Sequence, residues 1–336
     1  MLEVFSFSFN AVAPILLLTI TGYIIKMTKI FDDSFLKKCN TMVFKVFLPI
    51  LLFKNVYDIK SIGEINVAAL GYCVAAILLL CLIGNFTSDF FAEHRGQKGV
   101  INQCAFRSNY AIIGIPLAES LGTAQAVAFA GILSAVSIPL FNALAVIILS
   151  HYSNKDREPP IKDTLKSAAK NPLIRGVALG IAVLIMRGFI PLDNAGELVF
   201  SVKNDLPFLY DTVSKLSKVA SPLALVVLGA RFDFASVKSL IKPISWSVFL
   251  RLIVAPVIGI GGAVVLSTLG VMSFTTTEYP ALVSLFATPI AVSSAVMVSE
   301  IGGDEQLAGQ LVVWTSLLSV FSIFITVFVM KSVALI

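Results

Sequence analysis

Charge is scarce in this sequence. Asp, Glu, Lys and Arg supply 13% of its 336 residues, against about a quarter in a soluble domain. So few charges cannot cover the surface of a soluble globule of this length. Histidine is scarcer still: His94 and His151 are the two present, both beside predicted loops, which leaves no material for a His-built metal centre. The cysteines Cys39, Cys73, Cys81 and Cys104 have no metal-ligand or redox spacing and read as small lipophilic fillers. No Gly-rich nucleotide loop, nucleophile elbow or HExxH pattern occurs, so the motif-bearing enzyme classes are excluded. The net charge of +5 comes from loop lysines suited to an acidic leaflet and gives no support to nucleic-acid binding. A cleavable signal peptide is not expected, because Glu3 stands where a basic segment is required and the apolar stretch around it is too long.

What is present is apolar, 57% of the chain. Uncharged runs cover Val4 to Ile25, Ile65 to Ser88, Ser120 to Ser150, Leu252 to Thr277, Tyr279 to Ser299 and Gln306 to Met330. Each meets the roughly 20 residues that a helix needs to cross the hydrocarbon core. Weaker stretches fill the gaps. The reading is an all-α polytopic membrane protein with ten transmembrane helices near 5–26, 36–57, 65–90, 101–120, 124–150, 172–190, 207–230, 243–271, 279–300 and 305–331. One set of alternate loops holds sixteen basic residues, from Lys26, Lys29, Lys37 and Lys38 through Arg95, Lys98 and Arg107 to Lys155, Arg157, Lys162, Lys166, Lys170, Arg175, Arg231, Lys238 and Lys242. The other set holds five: Lys54, Lys60, Arg187, Lys203 and Lys331. The positive-inside bias then puts the richer set in the cytoplasm and both termini outside, with the bacterial plasma (inner) membrane as the expected location.

Five spans per half imply a second half inserted upside-down. Residues 1–151 form the first five-helix repeat, 152–171 a cytoplasmic linker and 172–336 the inverted repeat. Matches recur in order: Pro14 and Gly22 with Pro172 and Gly180, Lys45 and Pro49 with Lys218 and Pro222, Glu119 with Glu300, and Gln125 with Gln306. In inverted-repeat carriers the substrate sits near the midplane, where discontinuous helices expose their half-ends. The fourth span offers Ser108-Asn109-Tyr110 followed by the helix breakers Gly114 and Pro116, and the ninth offers Thr288-Pro289-Ile290 followed by Ser293 and Ser294. Their offset sets Ser108 opposite Pro289 and Asn109 opposite Ile290. If both spans unwind there, they cross in an X with their positive N-terminal half-dipoles converging on an anion.

The second and seventh spans supply a wall for that site through Pro49, Lys218, Ser221 and Pro222. Lys45 either lends its charge to a carboxylate or snorkels, and the same two readings stand for Lys218. Glu119 and Glu300 are candidate coupling acids or plain interface charges. No metal or other cofactor is expected beyond a coupling ion, H+ or Na+.

Asn109-Tyr-Ala-Ile-Ile-Gly-Ile-Pro116, Phe47-Leu-Pro-Ile-Leu-Leu-Phe53, Ala220-Ser-Pro-Leu-Ala-Leu-Val-Val-Leu-Gly-Ala230, Asn171-Pro-Leu-Ile-Arg-Gly-Val-Ala-Leu-Gly180 and Pro289 resemble the auxin efflux carrier family. That family holds plant PIN carriers and bacterial organic-acid permeases, within the bile/arsenite/riboflavin transporter superfamily. The resemblance covers nearly the whole chain. It implies a scaffold of spans one, two, six and seven, a mobile domain of the other six, substrate at the crossing of spans four and nine, elevator-like alternating access, and a homodimer through the scaffold. It makes Asn109 the crossover asparagine and Pro289 the second crossover proline. Ile290 departs from the amide that plant members carry there, which counts against an auxin-like substrate. The expected activity is secondary transport of small organic anions such as malate or malonate across the lipid bilayer. The alternatives are an exporter of auxin-like aromatic carboxylates, a channel, and a non-transporting sensor, which should carry a soluble signalling domain.

Overall fold

The computed structural model describes residues 2–58, 66–121, 124–153, 170–191 and 199–336. Most of the expected linker at 152–171 lies outside these residues, as do Lys60, Lys155, Arg157, Lys162 and Lys166. Twelve helices of more than one turn account for most of the described chain. They are α1 (Leu2–Thr28), α2 (Asp33–Tyr57), α3 (Val67–Phe91), α4 (Arg95–Phe106), α5 (Tyr110–Leu121), α6 (Ala124–His151), α7 (Pro172–Arg187), α8 (Pro207–Arg231), α9 (Ile241–Thr268), α10 (Tyr279–Phe286), α11 (Ser293–Ile301) and α12 (Glu305–Ser332). Among the described residues six segments are long and apolar enough to cross a membrane: α2, α3, α8, α9, α12 and Phe129–His151 of α6. The chain is a multi-pass, all-helical membrane protein. Its outward faces carry Leu82, Phe86 and Phe90 on α3 and Phe321, Ile325 and Phe328 on α12, apolar surface that lipid tolerates and water does not.

Local sequence explains where helices start and bend. Asp32, Asn66, Asn171 and Asp304 each cap the helix that follows, accepting from Phe35, Ala69, Leu173 and Leu307 N–H. Of the four wide, π-type turns among the described residues, three, Val43–Phe47, Tyr110–Gly114 and Leu250–Val254, each end two residues before a proline, Pro49, Pro116 or Pro256. A proline lacks the N–H that closes an ordinary turn, and widening the preceding turn re-partners the carbonyls without ending the helix.

This accounts for a difference from the sequence reading. Gly114 and Pro116 lie inside α5, and the interruption of the fourth span falls earlier, at Arg107–Asn109. Gly114 is there for closeness: a Cβ would press on the Tyr110 ring and the Ser284 carbonyl. The ninth span is interrupted at Pro289 as expected, between α10 and α11.

The most extensive pairings are α1 with α8 and α2 with α7. Both rest on glycine. Gly22 and Gly229 bring the α1 and α8 backbones together, and Gly176 seats α7 on the Pro49 carbonyl of α2. Small residues of this kind let membrane helices gain dispersion where no hydrophobic drive exists. The broken helices pack elsewhere, α4 on α3 and α6, α10 on α5 and α6.

Candidate functional site

Two interrupted helices meet at one point. Ser108 and Ile290 form an isolated antiparallel bridge, and Asn109 N–H donates to Pro289 C=O at 2.7 Å. Ile290 N–H donates to the Thr315 hydroxyl of α12 at 3.3 Å. Irregular backbone at membrane depth needs such partners, and here each break partly satisfies the other. Asn109 C=O then starts α5, accepting from Ile113 and Gly114 N–H at 2.9 and 3.2 Å. The backbone of Asn109 is therefore fully used, while its side-chain Nδ2, in a residue 2% exposed, has no protein partner. The Ser108 hydroxyl is likewise buried without a partner. Orphaned buried donors of this kind are rare and call for a reason.

A cavity opens beside the crossing. One wall is apolar and comes from α2, α7 and α8 through Leu48, Leu51, Leu52, Leu173 and Ser221, with Asn55 at its edge. The other wall is mixed: Arg107, Ser108, Asn109 and Tyr110 from the first break and Asn142 from α6 bring polar groups, beside Ala111 and Ile112 of α5, Ile138 and Phe141 of α6, and Ala291 to Ser293 leading into α11. The cavity measures about 50 Å³. At roughly 10–15 Å³ per water on this measure, it holds a few waters or one compact anion. The first residues of α5 and α11 lie on it, so both helix N-termini bring their positive ends to this space.

Arg107 dominates the electrostatics. It is 2% exposed and donates to Asn142 Oδ1 at 3.0 Å, to the Ser293 hydroxyl at 2.8 Å, and to Met297 Sδ. Among the described residues no carboxylate lies within ion-pair distance of it. A buried guanidinium held by neutral oxygens and a thioether keeps its full charge to offer, and an unpaired buried ion costs several kcal/mol. The sequence reading put Arg107 in a cytoplasmic loop. The structure extends helix α4 back to Arg95 and buries Gln97, Asn102 and Gln103 along it, so a stretch that looks loop-like by polarity is packed inside the bundle.

The remaining candidates scatter. Tyr110 is buried with its hydroxyl donating to Ala130 C=O at 3.0 Å, and Thr288 donates to Ser284 C=O at 3.1 Å. Ser293 lines the cavity and accepts from Arg107, whereas the Ser294 hydroxyl is buried off it without a partner. Ser221 lines the cavity and Pro49 holds α7, but Lys45, Lys218 and Pro222 are exposed and do not line it. Glu119 is also exposed. Glu300 is half-buried on α11, accepting from Asn40 Nδ2 at 3.1 Å and Thr41 Oγ1 at 2.7 Å of α2. Beside it Arg231 pairs with Glu305 at 2.5 Å and donates to Ser299 at 3.1 Å. Arg107, Asn142 and Asn55 went unnoticed as site residues. The available signal for Arg107 was its position directly before Ser108-Asn109.

The family model described as a membrane transport protein matches residues 7–327. An uncharacterized transporter of Methanothermobacter thermautotrophicus is 22% identical over 330 residues, covering 95% of this chain and 97% of that protein.

Proposed function

The chain belongs to the membrane transport protein family, the auxin efflux carrier type that its motifs resemble, and on that premise we propose a secondary carrier of small organic anions. Mono- or dicarboxylates such as malate and malonate fit best. The observation that carries this reading is Arg107, a buried cation without an acidic partner, facing a cavity beside two helix N-termini. Each N-terminus contributes about half a positive charge, so the site offers roughly two positive charges to a ligand. Guanidinium and carboxylate match as forks. The Asn109 amide supplies the further donor, and the narrow cavity suits a compact acid better than an indole ring.

The proposed architecture is ten spans in two inverted repeats, 1–151 and 172–336, joined by a linker at 152–171. Two features support it: α1 packs on α8 much as α7 packs on α2, and the fourth and ninth spans are both broken. In this reading α1, α2, α7 and α8 form a fixed scaffold and homodimer face, and the remaining helices slide along it as an elevator. The apolar wall of Leu48, Leu51, Leu52 and Leu173 is the surface they slide past, and the contacts of Glu300 with Asn40 and Thr41 form a latch that each cycle must open. If a proton is coupled, Glu300 is better sited than the exposed Glu119. The basic-residue bias supports a cytoplasmic linker, outward termini and a plasma-membrane location.

Purified carrier in liposomes, assayed by solid-supported-membrane electrophysiology with a panel of mono- and dicarboxylates, tests the activity. Saturable currents with a carboxylate are expected. Non-saturating currents point to a channel, and silence across the panel removes the anion-carrier reading. Asn109→Ala is expected to lower uptake about 10- to 100-fold with normal expression, because an orphaned amide donor spent on a ligand is worth about 1–3 kcal/mol. Unaltered transport in that variant takes Asn109 out of the site.

A further inference from the structure

Among the described residues Arg251 is the second buried guanidinium, 1% exposed on α9 in the wide turn Leu250–Val254. It does not touch the cavity. Its Nη1 donates to Ala105 C=O at 3.3 Å and its Nη2 to Phe286 C=O at 2.6 Å. Ala105 is in the last turn of α4, and Phe286 is the last residue of α10. These are the two half-helices that run into the crossing, so one guanidinium holds the carbonyl ends of both. Among the described residues no carboxylate pairs with it.

The charges balance without one. Each helix C-terminus carries about half a negative charge, and two such ends face one positive ion. The carbonyl ends of discontinuous helices are the groups that coordinate sodium in ion-coupled carriers. Here a side chain of the protein already takes two of them. The polar ends are thus divided: the N-termini of α5 and α11 lie on the cavity, and the C-termini of α4 and α10 close on Arg251.

We propose that Arg251 is a tethered cation that fills the position between the two half-helix C-termini, so that the carrier binds and moves its anion without sodium. The inference rests on the anion-carrier reading only for its transport arm. Arg251 acts through the backbone of the breaks and is a positioning residue, since it lies off the cavity.

The test compares melting temperature and carboxylate uptake in sodium chloride and in choline chloride. For the unaltered protein both are expected to be the same in the two salts. Arg251→Ala is expected to melt lower, to gain a sodium-dependent rise in melting temperature that the unaltered protein lacks, and to recover with millimolar methylguanidinium. Arg251→Lys, with one charge but no fork, is expected to fall between. Sodium-dependent melting or uptake in the unaltered protein overturns the proposal, and so does an Arg251→Ala variant blind to every cation or an Arg251→Met variant that melts and transports normally. Should Arg251→Ala fail to fold, the salt comparison on the unaltered protein and on Arg251→Lys decides. No uptake of any carboxylate, with melting still indifferent to sodium, sinks the anion reading while the tethered-cation assignment stands.

Discussion

Arg107→Met is expected to raise the melting temperature of the substrate-free protein and to abolish carboxylate uptake. Stability and function should move in opposite directions because of how the guanidinium is held. Asn142 Oδ1, the Ser293 hydroxyl and Met297 Sδ are its partners, and none is charged. Replacing a buried ion with a side chain of similar volume is often neutral or stabilising by about 1–4 kcal/mol. Against that, Asn142 Oδ1 and the Ser293 hydroxyl each lose a donor, at about 1 kcal/mol apiece. The balance favours the apolar variant. Binding goes the other way, since removing one partner of a buried charge pair costs about 2–5 kcal/mol, roughly 30-fold to several thousand-fold in affinity.

Thermal unfolding with and without carboxylates, beside uptake into liposomes, reads both effects. Arg107→Lys keeps the charge but loses the fork and should retain only part of the uptake. An Arg107→Met protein that melts lower and still gains stability from carboxylates sinks the assignment, because the arginine is then a structural tie and the anion binds elsewhere.

Class and element positions were legible because they depend on composition and spacing. Uncharged runs of about bilayer length marked α3, α6 and α12 to within a few residues, and Pro289 marked its own break, since a missing N–H in a short apolar helix has one obvious consequence. The first break was harder. Pro116 carries the same defect, yet a wide turn absorbs it, and the interruption falls at Arg107–Asn109. No breaker stands there: tertiary pairing with Pro289 and Ile290 creates that break, and pairing across 180 residues is invisible to a local reading. Depth was harder still. Arg107 was read as a loop charge, because a sequence gives a charge without its surroundings. Lys45 and Lys218 show the same problem from the other side: inward and snorkelling readings stood together for both, and both side chains are exposed. The determining quantity was which helix face each occupies, and the near-uniform apolarity of a membrane helix leaves that face unmarked.

The second large effect is expected at Gly229. Gly22 of α1 and Gly229 of α8 face each other where those helices cross, and a Cβ on Gly229 would overlap the Thr19 carbonyl and crowd Gly22 Cα. Backbone cannot yield as a flexible side chain can. The crossing is also locked just beyond the glycines, by Lys26 Nζ donating to Phe232 C=O at 2.8 Å and by the Tyr23 and Phe234 rings edge to face at 5.3 Å. Gly229→Ala is therefore expected to cost about 1–3 kcal/mol, in the range of core overpacking, and Gly229→Leu to prevent recovery of monodisperse protein. Gly71, on α3 with open space around it, is the control: Gly71→Ala should stabilise by about 0.5–1 kcal/mol through helix propensity alone. Function should fall further than stability does. Ser221 lies two turns before Gly229 on α8 and lines the cavity, so pushing α8 off α1 shifts the wall against which substrate is held, and a displacement of about 1 Å in a positioned site can cost about 100-fold. Thermal unfolding and uptake measured on the same Gly229→Ala preparation separate the two effects. If that variant unfolds and transports like Gly71→Ala, the close crossing of α1 and α8 is not what sets the scaffold.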